Sequence, residues 1–139
     1  MSRFLPLRRA TLLIPSGSVS DPNRKHLFIL LTDPKVDEAG RSFVLMVSLS
    51  TVRAGVPHDP SCILYAGDHP FVRHDSYVVY LKGRLEETDK VLRGVLSGQF
   101  VPYPPMDGDV FVRICEGLEK SRFTPAKLLN FYLVATGRA

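Results

Sequence analysis

Apolar residues fall in short runs through the first two-thirds of the chain and at helical spacing through the last third. Residues 10–15, Ala-Thr-Leu-Leu-Ile-Pro, read as a first strand. The continuous apolar run at 26–32, His-Leu-Phe-Ile-Leu-Leu-Thr, is short for a helix and suits a strand buried on both faces. Residues 42–49, Ser-Phe-Val-Leu-Met-Val-Ser-Leu, are rich in β-formers and predict the next strand. A short strand is expected at 61–65 and a longer one at 77–85, with a bend at Gly83. Three polar stretches separate these runs. Residues 16–23 combine Ser, Gly, Asp and Pro, whose side chains and special dihedrals favour a loop. Residues 33–41, with Pro34 and Gly40, form a turn or hairpin loop, and 53–61, with Gly55, Pro57, Asp59 and Pro60, a second long loop.

Helical periodicity begins at 86–96, where Val91, Leu92, Val95 and Leu96 share a face. Thr88 suits the N-cap or first turn, and Gly98 suits the stop. Pro102-Tyr103-Pro104-Pro105 breaks the chain. Residues 107–119 then place Val110, Ile114, Gly117 and Leu118 at helical spacing. Thr124-Pro125 opens a last helix with Leu128, Leu129, Tyr132 and Leu133 on its face, since proline is suited to the first helical turn. Strands first and helices last predict an α+β, mainly β fold. The expectation is one domain over 1–139, a strongly bent antiparallel sheet or small β-barrel with two or three C-terminal helices.

Composition narrows the class. A chain of 139 residues, 45% hydrophobic and 23% charged, suits one globular domain that needs no covalent staple. Two cysteines, Cys62 and Cys115, are too few for a secreted disulfide framework and are expected reduced and half-buried. No apolar run approaches the ~20 residues of a membrane span. The apolar stretch after the basic segment 3–9 is too short for a signal-peptide core. These features predict a soluble, cytoplasmic protein without membrane contact. A net charge of +4 and a pI near 9.3 fit an acidic partner, whether RNA, DNA or an acidic protein.

The densest chemistry lies at 68–80, Asp-His-Pro-Phe-Val-Arg-His-Asp-Ser-Tyr-Val-Val-Tyr, where a loop with two of the four histidines runs into a strand. A third, His26, opens the earlier apolar run. Loop-to-strand junctions are where a rigid scaffold presents binding or catalytic groups.

The order of segments resembles the PemK/MazF family of toxins. In that family a strand leads to a Gly-rich loop, then a basic residue and proline, then an apolar strand. Here Leu12-Leu13-Ile14, the 16–23 loop, Arg24-Lys25-His26 and Leu27-Phe28-Ile29-Leu30 follow that order, with Lys25-His26 where the family has the basic residue and proline. Val44 to Thr51 is similar to the family's strand that ends in Ser/Thr, and Arg73-His74-Asp75-Ser76-Tyr77-Val78-Val79 to its charged step before Ser-Val-Val. The likeness covers about residues 10–85. It implies a small barrel of the Src-homology-3-like type and metal-independent cleavage of single-stranded RNA without a cofactor. It also implies a homodimer, and an antitoxin whose acidic or apolar segment covers the basic cleft. The family's basic loop residue falls near Arg24 or Lys25, and its Ser/Thr at Ser50 or Thr51.

Metal-free RNA cleavage needs a base at the 2′-hydroxyl, an acid for the leaving oxygen and a cation for the phosphorane charge. Lys25, His26, Ser50 and His69 are therefore the expected catalytic set. Arg24, Thr51, Arg73, His74 and Ser76 are expected to hold the nucleic acid, and no metal site is expected. Blander roles compete: His69-Pro70 as a turn lock, Asp75-Ser76 as a loop cap. His58-Asp59, Asp68-His69 and His74 offer metal-type ligands in no known spacing. Cys62 is a candidate nucleophile, although its apolar setting favours an inert thiol. A non-enzymatic alternative is a small-barrel binding module for a protein or nucleic acid, with Tyr65, Phe71, Tyr77 and Tyr80 as anchors and the Pro-Tyr-Pro-Pro segment as a stiff surface. Convergence of His26, His69 and His74 on one basic cleft would favour the nuclease; scattering would favour the module.

Overall fold

The computed structural model of the chain describes residues 4–17, 20–21 and 24–139. Of the expected 16–23 loop, Ser18, Val19, Pro22 and Asn23 lie outside the described residues. Seven strands and three helices follow in the order β1 (Thr11–Pro15), β2 (Lys25–Leu30), β3 (Lys35–Val36), β4 (Ser42–Thr51), β5 (Ile63–Leu64), β6 (Ser76–Glu87), α1 (Thr88–Leu96), β7 (Val101–Tyr103), α2 (Gly108–Lys120) and α3 (Ala126–Ala135). The strands form one curled, half-barrel sheet in the order β5-β6-β4-β2-β1-β7, with β3 added to β4 and every pairing antiparallel. This is the expected α+β class, with the sheet bent but not closed. No helix of the described residues is long and apolar enough to cross a membrane.

The apolar runs become strands because the sheet is buried on both sides at its centre. Leu27 and Ile29 of β2 and Leu31 just after it face one cluster with Leu45, Val47, Leu49, Val78 and Tyr80, and α2 and α3 cover it with Ile114, Leu118, Leu128 and Tyr132. The alternate residues Phe28 and Leu30 face a second cluster with Leu12, Ile14, Val44 and Met46, closed by Val91 of α1 and by Phe100. A period-two strand with both faces covered loses its polar alternation, which is why 26–32 reads as unbroken apolar sequence. The helix faces at Val110, Ile114, Gly117 and Leu118, and at Leu128 and Tyr132, are buried as expected. Cys62 and Cys115 are free and buried, more deeply than expected.

Four expectations are corrected. Residues 101–103 do not break the chain but add to β1, with Pro102 opposite Leu12. Among the described residues β7 pairs with β1 alone, and an edge strand tolerates a residue without an N–H. The hairpin loop at 33–41 contains β3, folded back by an Asp37 side chain that accepts from the Ala39 and Arg41 N–H groups. β6 runs to Glu87, two residues past the expected strand end at 85, because Phe43 and Val44 continue the ladder with Glu87 and Glu86. Leu96, expected on the buried face of α1, is 87% exposed, since the helix ends at Ser97 and the Gly98 turn at φ 79° carries the chain away.

The expected bend in β6 is a break in register. Met46 pairs with Arg84 and Ser48 with Val79, so Val47 alone opposes residues 80–83. Tyr80 turns into the core and donates to the Ile114 carbonyl of α2 at 2.7 Å. Gly83 lies where a Cβ would come 2.7 Å from Leu128 Cδ1 of α3. At Gly117 a Cβ would overlap the Tyr80 hydroxyl oxygen. Gly117→Ala is therefore expected to lower stability by about 2 kcal/mol in urea unfolding, despite the better helix propensity of alanine. Tyr80→Phe in the same chain should recover part of that loss; simple additivity of the two would remove the packing argument.

Candidate functional site

On the α1-facing side of the sheet, α1 covers only one end. At the other end the outward residues of the central strands are open. His26 and Phe28 of β2, Ser48 and Ser50 of β4, and Tyr77 and Val79 of β6 line one groove of about 400 Å³. These share a face because opposed residues, Phe28 with Ser48, Ser48 with Val79 and Ser50 with Tyr77, point the same way in a pleated sheet. The register break swings Lys82 and Arg84 over one wall, with the Arg84 guanidinium 4.6 Å above the Phe28 ring. Pro57, His58 and Asp59 bring in the 53–62 loop, and Phe123 comes from the α2–α3 turn.

His26 is half-buried and fixed at one nitrogen. Ser16 Oγ lies 2.6 Å from Nδ1 and 3.1 Å from the Ile14 carbonyl. Its single hydrogen serves one of the two: given to Ile14, it leaves the Nδ1–H to donate to Ser16 and Nε2 as the unprotonated acceptor. Burial, followed by the charges of Arg24, Lys82 and Arg84, lowers the His26 pKa below the ordinary histidine value. The ring is therefore neutral around pH 7 and able to take a proton.

Asp59 holds the rim together. Its carboxylate accepts from Ser61 N–H at 2.9 Å, Ser61 Oγ at 2.6 Å and Ser121 Oγ at 2.5 Å. Ser121 Oγ in turn accepts from the Phe123 N–H at 3.1 Å. One carboxylate thus ties the loop bearing His58 to the turn bearing Phe123. Partial burial alone would raise the Asp59 pKa, but the bonds from Ser121 and Ser61 and the nearby His58 outweigh it and hold the carboxyl below its ordinary range. His58 packs on Tyr77 with centroids 5.3 Å apart.

The expected site residues separate. His26 and Ser50 line the groove. Arg24 is exposed and acts on His26 by charge. Lys25 is exposed and, one residue from His26 on a strand, points to the other face. Thr51, Arg73, His74 and Ser76 line a second cleft of about 410 Å³, which also takes in Ser50. His69 stands apart from both. It is 2% exposed, its Nδ1 accepts the Phe71 N–H at 3.1 Å and its Nε2 donates to the Pro104 carbonyl at 2.7 Å. That is the turn lock, and it joins the 65–75 loop to the Pro-rich segment. Ser76 donates to the His74 carbonyl at 2.9 Å, a loop bond of the kind expected for Asp75-Ser76. The three histidines are thus scattered.

Of the expected aromatic anchors, Tyr77 lines the groove and Tyr65 is exposed, whereas Tyr80 is buried core and Phe71 packs edge-on to Tyr103. Burial raises the Cys62 pKa, consistent with an inert thiol. Among the described residues no three His, Cys, Asp or Glu side chains are grouped to hold a metal ion. The sequence reading missed Ser16, Asp59, Lys82, Arg84 and Phe123 as groove residues and considered His58 only as a metal ligand. Lys82 and Arg84 at alternate positions after an apolar strand were the one signal that could have shown a cationic face. Compared with family models, curated proteins and solved structures, the chain gives no match.

Two outcomes check this geometry. His69→Ala should destabilise the fold by about 2–4 kcal/mol, because it removes a buried ring and leaves the Phe71 N–H without its partner, the Pro104 carbonyl keeping only Thr11 Oγ1. Thermal unfolding indistinguishable from wild type would refute the lock. Asp59→Ala should cost about 1 kcal/mol at neutral pH. A carboxyl with a depressed folded pKa stabilises above its unfolded value and loses that contribution as pH falls through the folded value. The stability gap between wild type and variant should therefore close under acid conditions.

Proposed function

We propose that this protein is a cytoplasmic, metal-independent endoribonuclease acting on single-stranded RNA, similar in kind to the PemK/MazF toxins, and that the open sheet groove is its site. The observation that carries the reading is His26, neutral around pH 7 and held at Nδ1 by Ser16, among Arg24, Lys82 and Arg84 in an aromatic-lined groove. Nε2 of His26 takes the 2′-hydroxyl proton, the 2′-oxygen attacks the adjacent phosphorus, and the bond to the 5′-oxygen breaks. His58 is positioned by Tyr77 to return a proton to that leaving oxygen. Lys82 and Arg84 face the charge that develops on the phosphorane, and the Ser50 hydroxyl donates to a phosphate oxygen. Tyr77 and Phe123 offer ring faces to unstacked bases, which favours single strands. The same resemblance supports a homodimer and an acidic or apolar antitoxin segment that covers the groove.

The scattering of His26, His69 and His74 favours the second reading, a binding module for single-stranded nucleic acid without cleavage. One assay separates the two: purified protein with mixed-sequence single-stranded RNA in EDTA. Cleavage is expected, with loss of about 10²–10⁴ in rate for His26→Ala. RNA that stays intact but bound leaves the module. RNA neither cut nor bound refutes both readings.

The pH profile supplies a further check. Protonation of His26 removes the base, so the rate falls on the acid side, and the depressed pKa places that limb below the ordinary histidine range. Lys82 contributes to the depression, so Lys82→Ala should move the limb to higher pH. A limb that stays in place would remove His26 as the base.

A further inference from the structure

Beside the groove lies the second cleft, walled by Thr51, Phe71, Arg73, His74 and Tyr103 and sharing Ser50 with the first. Arg73 and His74 are exposed, and neither side chain makes a hydrogen bond or ion pair with another described residue. Other arginines of the protein are engaged: Arg41 with Asp37 and Glu87, Arg113 with Asp68, Arg138 with Glu119. The loop that presents Arg73 and His74 is fastened along its length. The Tyr65 N–H donates to Asp68, whose carboxylate also takes Arg113 at 2.9 Å. His69 anchors the loop to Pro104, the Val72 N–H returns to the His69 carbonyl, and the Val52 N–H takes the Asp75 carbonyl at the mouth of β6. Two unpaired donors on so constrained a loop are held ready for an anion, since little ordering remains to be done on binding. Phe71 and Tyr103, edge to face at 5.6 Å, add an aromatic wall.

We infer that this cleft is a second subsite for the same nucleic-acid strand: the strand leaves the groove over Ser50, and Arg73 and His74 take a neighbouring phosphate. The inference rests on the groove being a single-strand site. It assigns the loop the substrate class of the groove because the two clefts share a wall and each carries a cation without counter-charge among the described residues, Lys82 in the groove and Arg73 in the cleft, whereas Arg84 has Glu86 at 3.9 Å. The chemistry required is that of a polyanion with exposed rings, in which phosphate meets guanidinium and imidazole and bases meet Phe71 and Tyr103.

The test uses two uncleavable 2′-O-methyl probes of mixed sequence, a dinucleotide and an oligomer of about eight nucleotides, the latter within the reach of small single-strand sites. Binding is measured against salt for wild type, Arg73→Ala and Lys82→Ala. Arg73→Ala should lower the oligomer's affinity by about ten-fold relative to the dinucleotide's and reduce the oligomer's salt slope by about one, as loss of one phosphate contact does. Lys82→Ala should weaken both probes. In proton NMR of the wild type, the His74 ring signals should move with the oligomer and not with the dinucleotide. An oligomer that binds Arg73→Ala as it binds wild type, or an Arg73→Ala chain that weakens both probes in equal proportion, overturns the second subsite while the groove reading stands. If wild type binds neither probe, the groove reading falls and this inference with it.

Discussion

The break in register between β4 and β6 is the constraint on which the rest of the structure depends. One residue, Val47, opposes the four from Tyr80 to Gly83. Extra residues on one strand of a ladder bend it and redirect its side chains. Here they send Tyr80 inward to α2 and bring Gly83 against α3, while Lys82 and Arg84 turn out over the groove. The same break therefore seats two helices on one face of the sheet and places two cations, Lys82 within it and Arg84 just after it, on the other. The Tyr80 hydroxyl is buried, and its bond to the Ile114 carbonyl matters less for the ~1 kcal/mol it contributes than for the penalty of leaving either group unpaired.

The two faces of the sheet then differ in what covers them. α2 and α3 close one face completely around Leu45, Val47, Val78 and Tyr80. The nine residues of α1 close only part of the other, around Phe28, Leu30, Val44 and Met46. The remainder is open, and there the outward positions change from apolar to Ser48, Ser50 and His26. Partial coverage by a short helix is thus what makes a groove from a sheet face. The rim is held by Asp59, whose charge is satisfied by two serines. His26 is left with three cations acting on it, which both depresses its pKa and makes the groove receptive to an anion.

Two structural histidine roles explain why clustering in sequence did not become clustering in space. His69 and His74 are five residues apart, but Val72 and His69 are buried while Arg73 and His74 are exposed, so the loop turns one ring in and the other out. His58, far from both in sequence, reaches the groove because Asp59 beside it is tied to Ser121. The cysteines follow the same logic of position: each lies under a helix-covered face, where burial favours the thiol.

By itself the sequence determined the local elements. Apolar runs bounded by Pro, Gly and Asp specified β1, β2, β4 and β6, and periodic faces at Val110, Ile114 and Leu118 and at Leu128 and Tyr132 specified the late helices, because strand and helix periods are written in neighbouring residues. Order alone was enough for the α+β class. His26 and Ser50 were legible as groove residues because each stands at a strand end beside a loop. Tertiary structure alone decided that residues 101–103 become an edge strand and that His69 is sealed in. It alone brought His58, Asp59, Lys82, Arg84 and Phe123 to one rim. Those outcomes depend on pairing register, on the length of a covering helix and on hydrogen bonds between segments 35 to 62 residues apart, and nothing in the spacing of neighbouring residues encodes them.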